Sequence, residues 1–328
     1  MSVYSFNDNF NSKGAVPMQR TIAKEVGLSG IGLHSGFEVD IKLKPAKVDS
    51  GIIFIRTDID PECAIVHASW DTVIDTLMCT KVANDDGITV GTIEHLMAAL
   101  YACEIDNVII ELNGPEVPVM DGSSKAFVEM IESVGTKILS KPKIIIEILK
   151  EVKVKDTDNR WVSFTPADDF SLDIQFTFGD RADLPDQSFK FNGCPKLFKS
   201  EITDARTFGF LQEVQMLWKS GLAKGGSLDN AVVLDHDGPL NAEGFRFPDE
   251  CVRHKALDAI GDMYLAGGLF KGHFKGSQSG HSLLNRLLRA LFADEDNYRI
   301  IEHTEPAEVM VGIISNQPAA KISAYATA

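Results

Sequence analysis

The sequence predicts an α+β fold made of two domains. A chain of 328 residues is long enough for one large domain or two of average size. In each half, segments that alternate like strands precede segments with helical periodicity. This order is typical of α+β domains rather than of a doubly wound sheet. The halves share the order without residue-level similarity, so any internal repeat is one of topology.

The first half opens with polar residues, and strand-like residues begin at Thr21. The pattern then predicts, in order, strands over 39–43 and 51–56, a helix from Thr92, a strand over 107–112 and a helix over 124–133. Residues 30–36 are interpreted as a turn between strands, because three of the seven are glycine. Residues 135–143 are short, polar and end in Lys-Pro-Lys, which indicates a linker.

The second half repeats the theme. Strands are predicted over 144–149, 161–165 and 171–178, and helices over 249–265 and 280–292. The last thirty or so residues carry little pattern and end in small residues, which indicates a mobile tail.

The charge and cysteine content of the chain exclude some classes of protein. With 32 basic and 47 acidic residues, the net charge is −15, which argues against a nucleic-acid-binding protein. The five cysteines are widely spaced without a C-x-x-C motif, which favours reduced thiols in the cytoplasm over disulfides. No signal peptide and no apolar run long enough to span a bilayer is seen, so a lipid substrate would be met from the water side.

The helix near Thr92 combines a core stripe with a polar pair. Its stripe has the spacing i, i+3, i+4, i+7 and consists of Ile93, Leu96, Met97 and Leu100. At about 100° per residue, His95 lies opposite this stripe among alanines. We expect Thr92 to be the N-cap, which places Glu94 and His95 in the first turn. There the helix dipole favours an ionised carboxylate and a neutral imidazole, the states that a metal hydrolase requires.

The helix over 249–265 offers a second set of ligands. His254 and Asp258 are four residues apart, about 6 Å along the axis, and project from the same face. Together with His95 they form a two-histidine, one-carboxylate set, which is typical of catalytic zinc and also suits iron. Each segment alone has an ordinary alternative: a surface histidine, or a simple i, i+4 pair.

Seven motifs together resemble one family, the UDP-3-O-acyl-N-acetylglucosamine deacetylases of lipid A synthesis in Gram-negative bacteria. The resemblance covers Gln19 to Asp294. The motifs are GIGLHSG at 30–36, TIEHL at 92–96, PEVPVMDG at 115–122, ARTFGF at 205–210, GGS at 225–227, VRHKALDAIGD at 252–262 and SGH at 279–281.

The resemblance implies two similar α+β domains packed face to face, with helices sandwiched between the sheets and an insert in each domain. The expected division is 1–17 as a flexible segment, 18–137 as domain 1, 138–298 as domain 2 and 299–328 as a tail. The insert of domain 2, over about 205–240, is expected to form a passage for a fatty acyl chain.

The resemblance also implies a mechanism of zinc-assisted amide hydrolysis. His95, His254 and Asp258 would bind Zn²⁺, with Fe²⁺ as an alternative ion, and Glu94 would be the general base. Thr207 would stabilise the oxyanion. His281 would be protonated and would either stabilise charge or protonate the leaving amine, with Asp262 orienting its ring and raising its pKa.

The implied substrate is UDP-3-O-(3-hydroxyacyl)-N-acetylglucosamine, which loses acetate in the committed step of lipid A synthesis. The residues expected to contact it are Lys255, Phe208, Gly226, Met78, Cys79 and Val214. Candidate apolar walls of the passage are Leu211, Val214, Leu217, Trp218, Leu222 and Val233, although such a stripe is often plain core. His34 is interpreted either as a substrate contact or as a structural residue.

Two alternatives remain at this level: a zinc amidase for another sugar or nucleotide, and a metal-holding or lipid-binding protein without catalysis. The presence of Glu94, Thr207 and His281 argues against the second, because binding zinc needs none of them. We expect a cytoplasmic monomer, and a regulatory protease could recognise its small-residue C-terminus.

Overall fold

A computed structural model of the chain describes residues 17–301, and its elements follow the predicted order. The strands are β1 Met18–Ile22, β2 Val26–Ile31, β3 Glu38–Pro45, β4 Ile52–Arg56, β5 Ile65–His67, β6 Val73–Asp75, β7 Lys81–Ala83, β8 Thr89–Val90, β9 Val108–Leu112, β10 Thr136–Pro142, β11 Ile145–Ile148, β12 Val152–Thr157, β13 Arg160–Thr165, β14 Ser171–Phe176, β15 Gln187–Phe191, β16 Phe208–Phe210, β17 Val232–Asp235, β18 Gly238–Pro239, β19 Leu269–Lys271, β20 His273–Ser277 and β21 Tyr298–Ile301. The helices are α1 Glu94–Ala102, α2 Lys125–Val134, α3 Pro195–Glu201, α4 Leu211–Lys219, α5 Glu250–Tyr264 and α6 His281–Phe292. This mixture of helices and separate sheets confirms the α+β class.

Two five-stranded sheets have the same topology, which agrees with a repeat of topology rather than of residues. The first has the order β2-β3-β9-β4-β5 and the second β12-β13-β20-β14-β15. In each, the third and fourth strands are parallel and all other neighbours are antiparallel. Alternation along β3 explains its placement, because Val39, Ile41 and Leu43 are buried while the residues between them are exposed.

Each half of the described chain also carries a small three-stranded sheet. One has the order β6-β7-β8 and leads directly into α1. The other has the order β16-β17-β18 and includes α4 between its first two strands, which are parallel. That these sheets are the inserts expected in the two domains stays a prediction.

The predicted linker over 135–143 is wrong. Most of it forms β10, which pairs with β1 in an antiparallel, two-stranded sheet. Gly135, with φ of +71°, ends α2 and turns the chain into the new strand. Most side chains of β10 are exposed, so its sequence lacks the apolar alternation by which a strand is recognised.

Helix α1 is covered on every side, including the side opposite its apolar stripe. All nine of its residues are buried, and α5 packs along the face that carries His95. Gly261 of α5 makes this approach close, because a Cβ there would lie 2.1 Å from the backbone oxygen of Glu94. The contact brings the two predicted ligand helices together.

The ends of the described chain bear on two further expectations. Residues 299–301 belong to β21, which pairs with β11, so a strand extends into the predicted tail. Residues 1–16 and 302–328, with the expected flexible ends and protease signal, lie outside the described residues. Between residues 17 and 301, no helix is both long and apolar enough to cross a membrane.

Candidate metal centre and active site

The start of α1 is held by an unusual backbone conformation at Thr92. The expected N-cap role is wrong: Ile93 occupies that position, without a side-chain cap, and Thr92 has φ of +54°. For a β-branched residue this conformation is strained and persists only where surrounding contacts enforce it. The Thr92 hydroxyl donates to the Glu116 carboxylate at 2.7 Å, which supplies one such contact. The strained turn aims Glu94 and His95 at α5.

Three buried side chains converge at the contact between α1 and α5. One ligand atom each from His95, His254 and Asp258 lies within 4.8 Å of the other two, and each residue is at most 3% exposed. The Nε2 atoms of His254 and His95 lie 3.2 and 3.8 Å from Oδ1 of Asp258. The predicted ligand set is therefore brought together by the fold.

The protonation states of the two histidines in this cluster favour the binding of a cation. Burial lowers the pKa of both His95 and His254, so both rings are neutral near pH 7. Nδ1 of His254 lies 3.0 Å from the backbone oxygen of Ala205 and is the atom that donates, which turns the lone pair of Nε2 towards Asp258. Among the described residues, 17–301, Oδ1 of Asp258 is buried and finds no hydrogen-bond partner. Such an orphaned carboxylate oxygen between imidazole nitrogens is costly unless a metal ion binds there, so these residues fit one.

A buried ion pair fixes the segment that approaches His254. Arg206, 1% exposed, donates from Nε and from its backbone N–H to Oε1 of Glu250, the first residue of α5. The pair therefore locks Ala205 and Thr207, the neighbours of Arg206, against the helix that carries His254. Sequence patterns did not single out this pair, because nothing local relates residues 44 positions apart.

Glu94 lies beside the three-residue cluster and is 3% exposed. Its Oε2 accepts a hydrogen bond from the backbone N–H of Thr80 at 3.0 Å, and its Oε1 lies 3.8 Å from Nε2 of His281. Burial raises the pKa of Glu94 to about 8, although the positive charge of His281 opposes the shift. A carboxylate with a pKa near the working pH is suited to general-base catalysis.

His281 begins α6 and pairs with Asp262, one turn beyond Asp258 on α5. Its Nδ1 lies 2.7 Å from Oδ2 of Asp262. Burial alone would lower the pKa of His281, but the carboxylates of Asp262 and Glu94 outweigh it and raise the pKa to about 10. The two carboxylates therefore favour a protonated His281 ring near pH 7.

The pairing of His281 with Asp262 predicts a pH effect. If protonated His281 is required, activity is present below its pKa and lost as pH rises through it. Asp262→Asn removes the charge that raises this pKa, so the basic limb should move about 1–3 pH units lower. The kcat–pH profiles of both proteins measure this shift, and Asp204→Asn, at an exposed ion pair with Lys125, is the control. An unmoved basic limb in Asp262→Asn would exclude His281 as the acid.

A cleft of about 1700 Å³ opens over these groups and exceeds the size of a typical drug-sized pocket. The predicted site residues that line it are Glu94, His95, Thr207, Phe208, His254, Lys255, Asp258, His281, Met78, Val214 and Gly226. Asp262, also predicted, does not line the cleft and instead contacts His281, which does. Cys79, expected to contact substrate, does not line the cleft: it is 6% exposed beside Thr92, whereas neighbouring Met78 is 46% exposed.

Lys255 supplies a positive charge at the edge of the three-residue cluster. Its Nζ donates to Oδ2 of Asp258 at 3.1 Å and lies 5.4 Å from the centre of the Phe208 ring. Because Lys255 also lines the cleft, its remaining N–H groups can reach an anionic or polar ligand.

His34 also lines the cleft, on the loop after β2. The Glu116 carboxylate accepts the backbone N–H groups of His34 and Ser35, and this fixes the loop. Both ring nitrogens of His34 are buried and lack a hydrogen-bond partner within the described chain. The structure therefore places His34 in the lining of the cleft, and its role as a substrate contact stays a prediction.

The cleft continues along the insert around α4. Apolar residues of the segment 205–240 that line it include Leu211, Val214, Met216, Leu217, Trp218, Leu228, Val233 and Leu240. Leu222, expected in this wall, is absent from the lining. No residue of α4 is fully buried, so its apolar side chains face the cleft and solvent rather than a closed core.

Comparison with known sequences identifies the family. The profile of the UDP-3-O-acyl N-acetylglycosamine deacetylases matches residues 19–293. The chain belongs to this deacetylase family. A Haemophilus influenzae UDP-3-O-acyl-N-acetylglucosamine deacetylase is 42% identical over 298 residues, covering 90% of this chain and 97% of the relative. The enzymes of the same name from Shewanella violacea and Neisseria meningitidis are 43% and 44% identical, covering 89% and 88% of this chain and 95% and 94% of the relatives. The family match spans α1, α5 and the start of α6, the elements that carry the site.

Proposed function

We propose that this chain is a zinc-dependent deacetylase that removes the N-acetyl group from UDP-3-O-(3-hydroxyacyl)-N-acetylglucosamine, a step of lipid A synthesis. The observation that carries the proposal is the buried, unpartnered oxygen of Asp258 facing two neutral imidazoles, with Glu94 and His281 alongside. The family match and the names of the relatives supply the substrate.

We propose that His95, His254 and Asp258 hold Zn²⁺, with Fe²⁺ as an alternative that the same ligands accommodate. When bound, the ion supplies Lewis acidity to polarise the acetyl carbonyl and activate water. Asp258 is suited to a cation because His254 and Lys255, acting against burial, keep its pKa below the usual range.

The remaining steps belong to side chains of this chain. Glu94 takes a proton from the water that attacks the acetyl carbonyl carbon. The Thr207 hydroxyl donates to the developing oxyanion. When the C–N bond breaks, protonated His281 gives its proton to the leaving nitrogen, so acetate and the free amine are the products. Lys255 and Phe208 bind the sugar side of the substrate at the edge of the three-residue cluster.

The function test is acetate release by the zinc-loaded protein from the acylated UDP-sugar. We expect turnover that is lost on chelation and restored by Zn²⁺. Release of acetate at the same rate from UDP-N-acetylglucosamine would point instead to an amidase for another sugar. No release from either substrate by the metal-loaded protein would refute the deacetylase proposal.

We propose that the insert binds the fatty acyl chain, with Val214 and Gly226 in its wall. Each methylene buried against this surface contributes about 0.8 kcal/mol, so kcat/KM should fall about fourfold for each methylene removed. A series of substrates with shortened acyl chains measures this dependence. Equal kcat/KM across the series would show that the chain stays in solvent.

We propose a division into two domains, because the two five-stranded sheets repeat one topology within 26–112 and 152–277. The boundary belongs after Pro142 rather than after residue 137, since β10 stays paired with β1 up to that residue. A monomer suffices for activity, because one chain supplies every group of the site. Five free cysteines agree with a cytoplasmic location.

A further inference from the structure

Thr80 lies between Cys79 and β7 and is 2% exposed. None of the sequence patterns marked it, since it belongs to no helix stripe and binds no metal. Its backbone and side chain nevertheless contact two groups of the proposed catalytic machinery, which come from elements far apart in sequence.

The two contacts of Thr80 are short hydrogen bonds to carboxylates. Its backbone N–H donates to Oε2 of Glu94 at 3.0 Å. Its hydroxyl donates to Oδ1 of Asp262 at 2.6 Å, across 182 residues of sequence. Within residues 17–301, no other residue is hydrogen-bonded to both of these carboxylates.

These bonds complete a closed ring of four residues. Each carboxylate turns one oxygen to Thr80 and the other to His281: Oε1 of Glu94 lies 3.8 Å from Nε2, and Oδ2 of Asp262 lies 2.7 Å from Nδ1. A carboxylate fixed at one oxygen cannot rotate freely, so Thr80 sets the direction in which each second oxygen meets the imidazole.

Backbone strain near the ring agrees with an enforced geometry. Met78, two residues before Thr80, has φ of +67°, and Thr92, two residues before Glu94, has φ of +54°. Non-glycine residues in this region cost about 1–3 kcal/mol each and persist where the surroundings over-determine them. Each strained residue therefore lies within two residues of a member of the ring.

We propose that Thr80 is a positioning residue that aligns the base Glu94 with the acid pair His281 and Asp262, an inference that rests on the proposed deacetylation. Its backbone N–H orients the base and its hydroxyl orients Asp262, so one residue fixes the position of the base relative to the acid. Thr80 does not line the cleft, so it would act through these side chains rather than on the substrate.

The first test compares Thr80→Val with Thr80→Ser. Valine keeps the shape and the backbone N–H but removes the hydroxyl, so kcat should fall about 10–100-fold, as for loss of other groups that orient a catalytic residue. KM and bound zinc should change little. Serine keeps both hydrogen bonds and should restore kcat to within about twofold of the parent. Thr80→Ala is measured beside valine, so that a misfit of the extra methyl cannot explain the loss.

A double-mutant cycle with Asp262→Asn separates positioning from general damage. If Thr80 acts through Asp262, Thr80→Val should change kcat by less than about twofold when Asp262 is already replaced. Losses that multiply would overturn the proposal, as would a Thr80→Ser variant as impaired as Thr80→Ala. The control is Thr203→Val, since Thr203 is also buried, at 5% exposed, but its hydroxyl donates to the backbone oxygen of Phe198. An inactive parent protein would instead refute the deacetylase function itself.

Discussion

Glu94→Gln should lower kcat by about 10²–10⁴-fold while the protein keeps its metal. The amide oxygen of glutamine can still accept the N–H of Thr80, so the position of the side chain is preserved. It cannot take a proton from water, however. Glu94 lies outside the group of His95, His254 and Asp258 that can hold the ion, so metal content should stay at that of the parent.

The measurement is steady-state acetate release together with metal analysis of the same samples. Glu132→Gln is the matched control, because Glu132 makes only an exposed ion pair with Lys199 far from the cleft. Parent-level turnover by Glu94→Gln would remove the base assignment. Loss of metal along with activity would show that Glu94 is a ligand.

Gly261→Ala should damage the whole site through one methyl group. The added Cβ would lie 2.1 Å from the backbone oxygen of Glu94 and 3.2 Å from the backbone nitrogen of Ala98. Backbone atoms cannot move aside like a flexible side chain, so α1 and α5 must separate. We expect the free energy of unfolding to fall by about 1–3 kcal/mol.

Separation of the helices also changes the site, since α1 carries Glu94 and His95 and α5 carries His254, Asp258 and Asp262. A shift of about 1 Å can cost about 10²-fold in turnover, and kcat/KM should fall by at least that factor. Gly91→Ala is the control, because its methyl would meet the flexible chain of Lys81 at 3.4 Å and the backbone oxygen of Pro115 at 3.8 Å, both ordinary contact distances. Denaturant unfolding and kcat/KM are measured for both. A Gly261→Ala protein with parental kcat/KM would contradict the close helix contact.

Helical periodicity correctly predicted the two helices that carry the proposed metal ligands. The spacing of Ile93, Leu96, Met97 and Leu100 located α1 and placed His95 off its stripe, and the spacing of His254 and Asp258 set them on one face of α5. Such patterns report what a residue does within its own helix. The patterns also predicted that the faces of α1 and α5 opposite their apolar stripes are available for contact, and the packing of α1 on α5 confirms this.

Local sequence patterns could not predict the long-range contacts that orient the side chains of the site. Thr80 reaches Asp262, and Arg206 reaches Glu250, only because tertiary packing brings distant segments together. The strand β10 was missed because its side chains are mostly exposed and do not alternate. The identity of the acetyl group and the sugar came from the family resemblance, since helix geometry specifies ligands for a metal and not a substrate.

The most direct test of the account is a zinc titration of the metal-free protein, followed by acetate release from the acylated UDP-sugar. Turnover should be absent without metal and should rise with added Zn²⁺ to a maximum at one ion per chain. His254→Ala should fail to recover under the same conditions, because one of the three proposed ligands is gone. Full turnover by the metal-free protein, or a maximum that His254→Ala also reaches, would contradict the account.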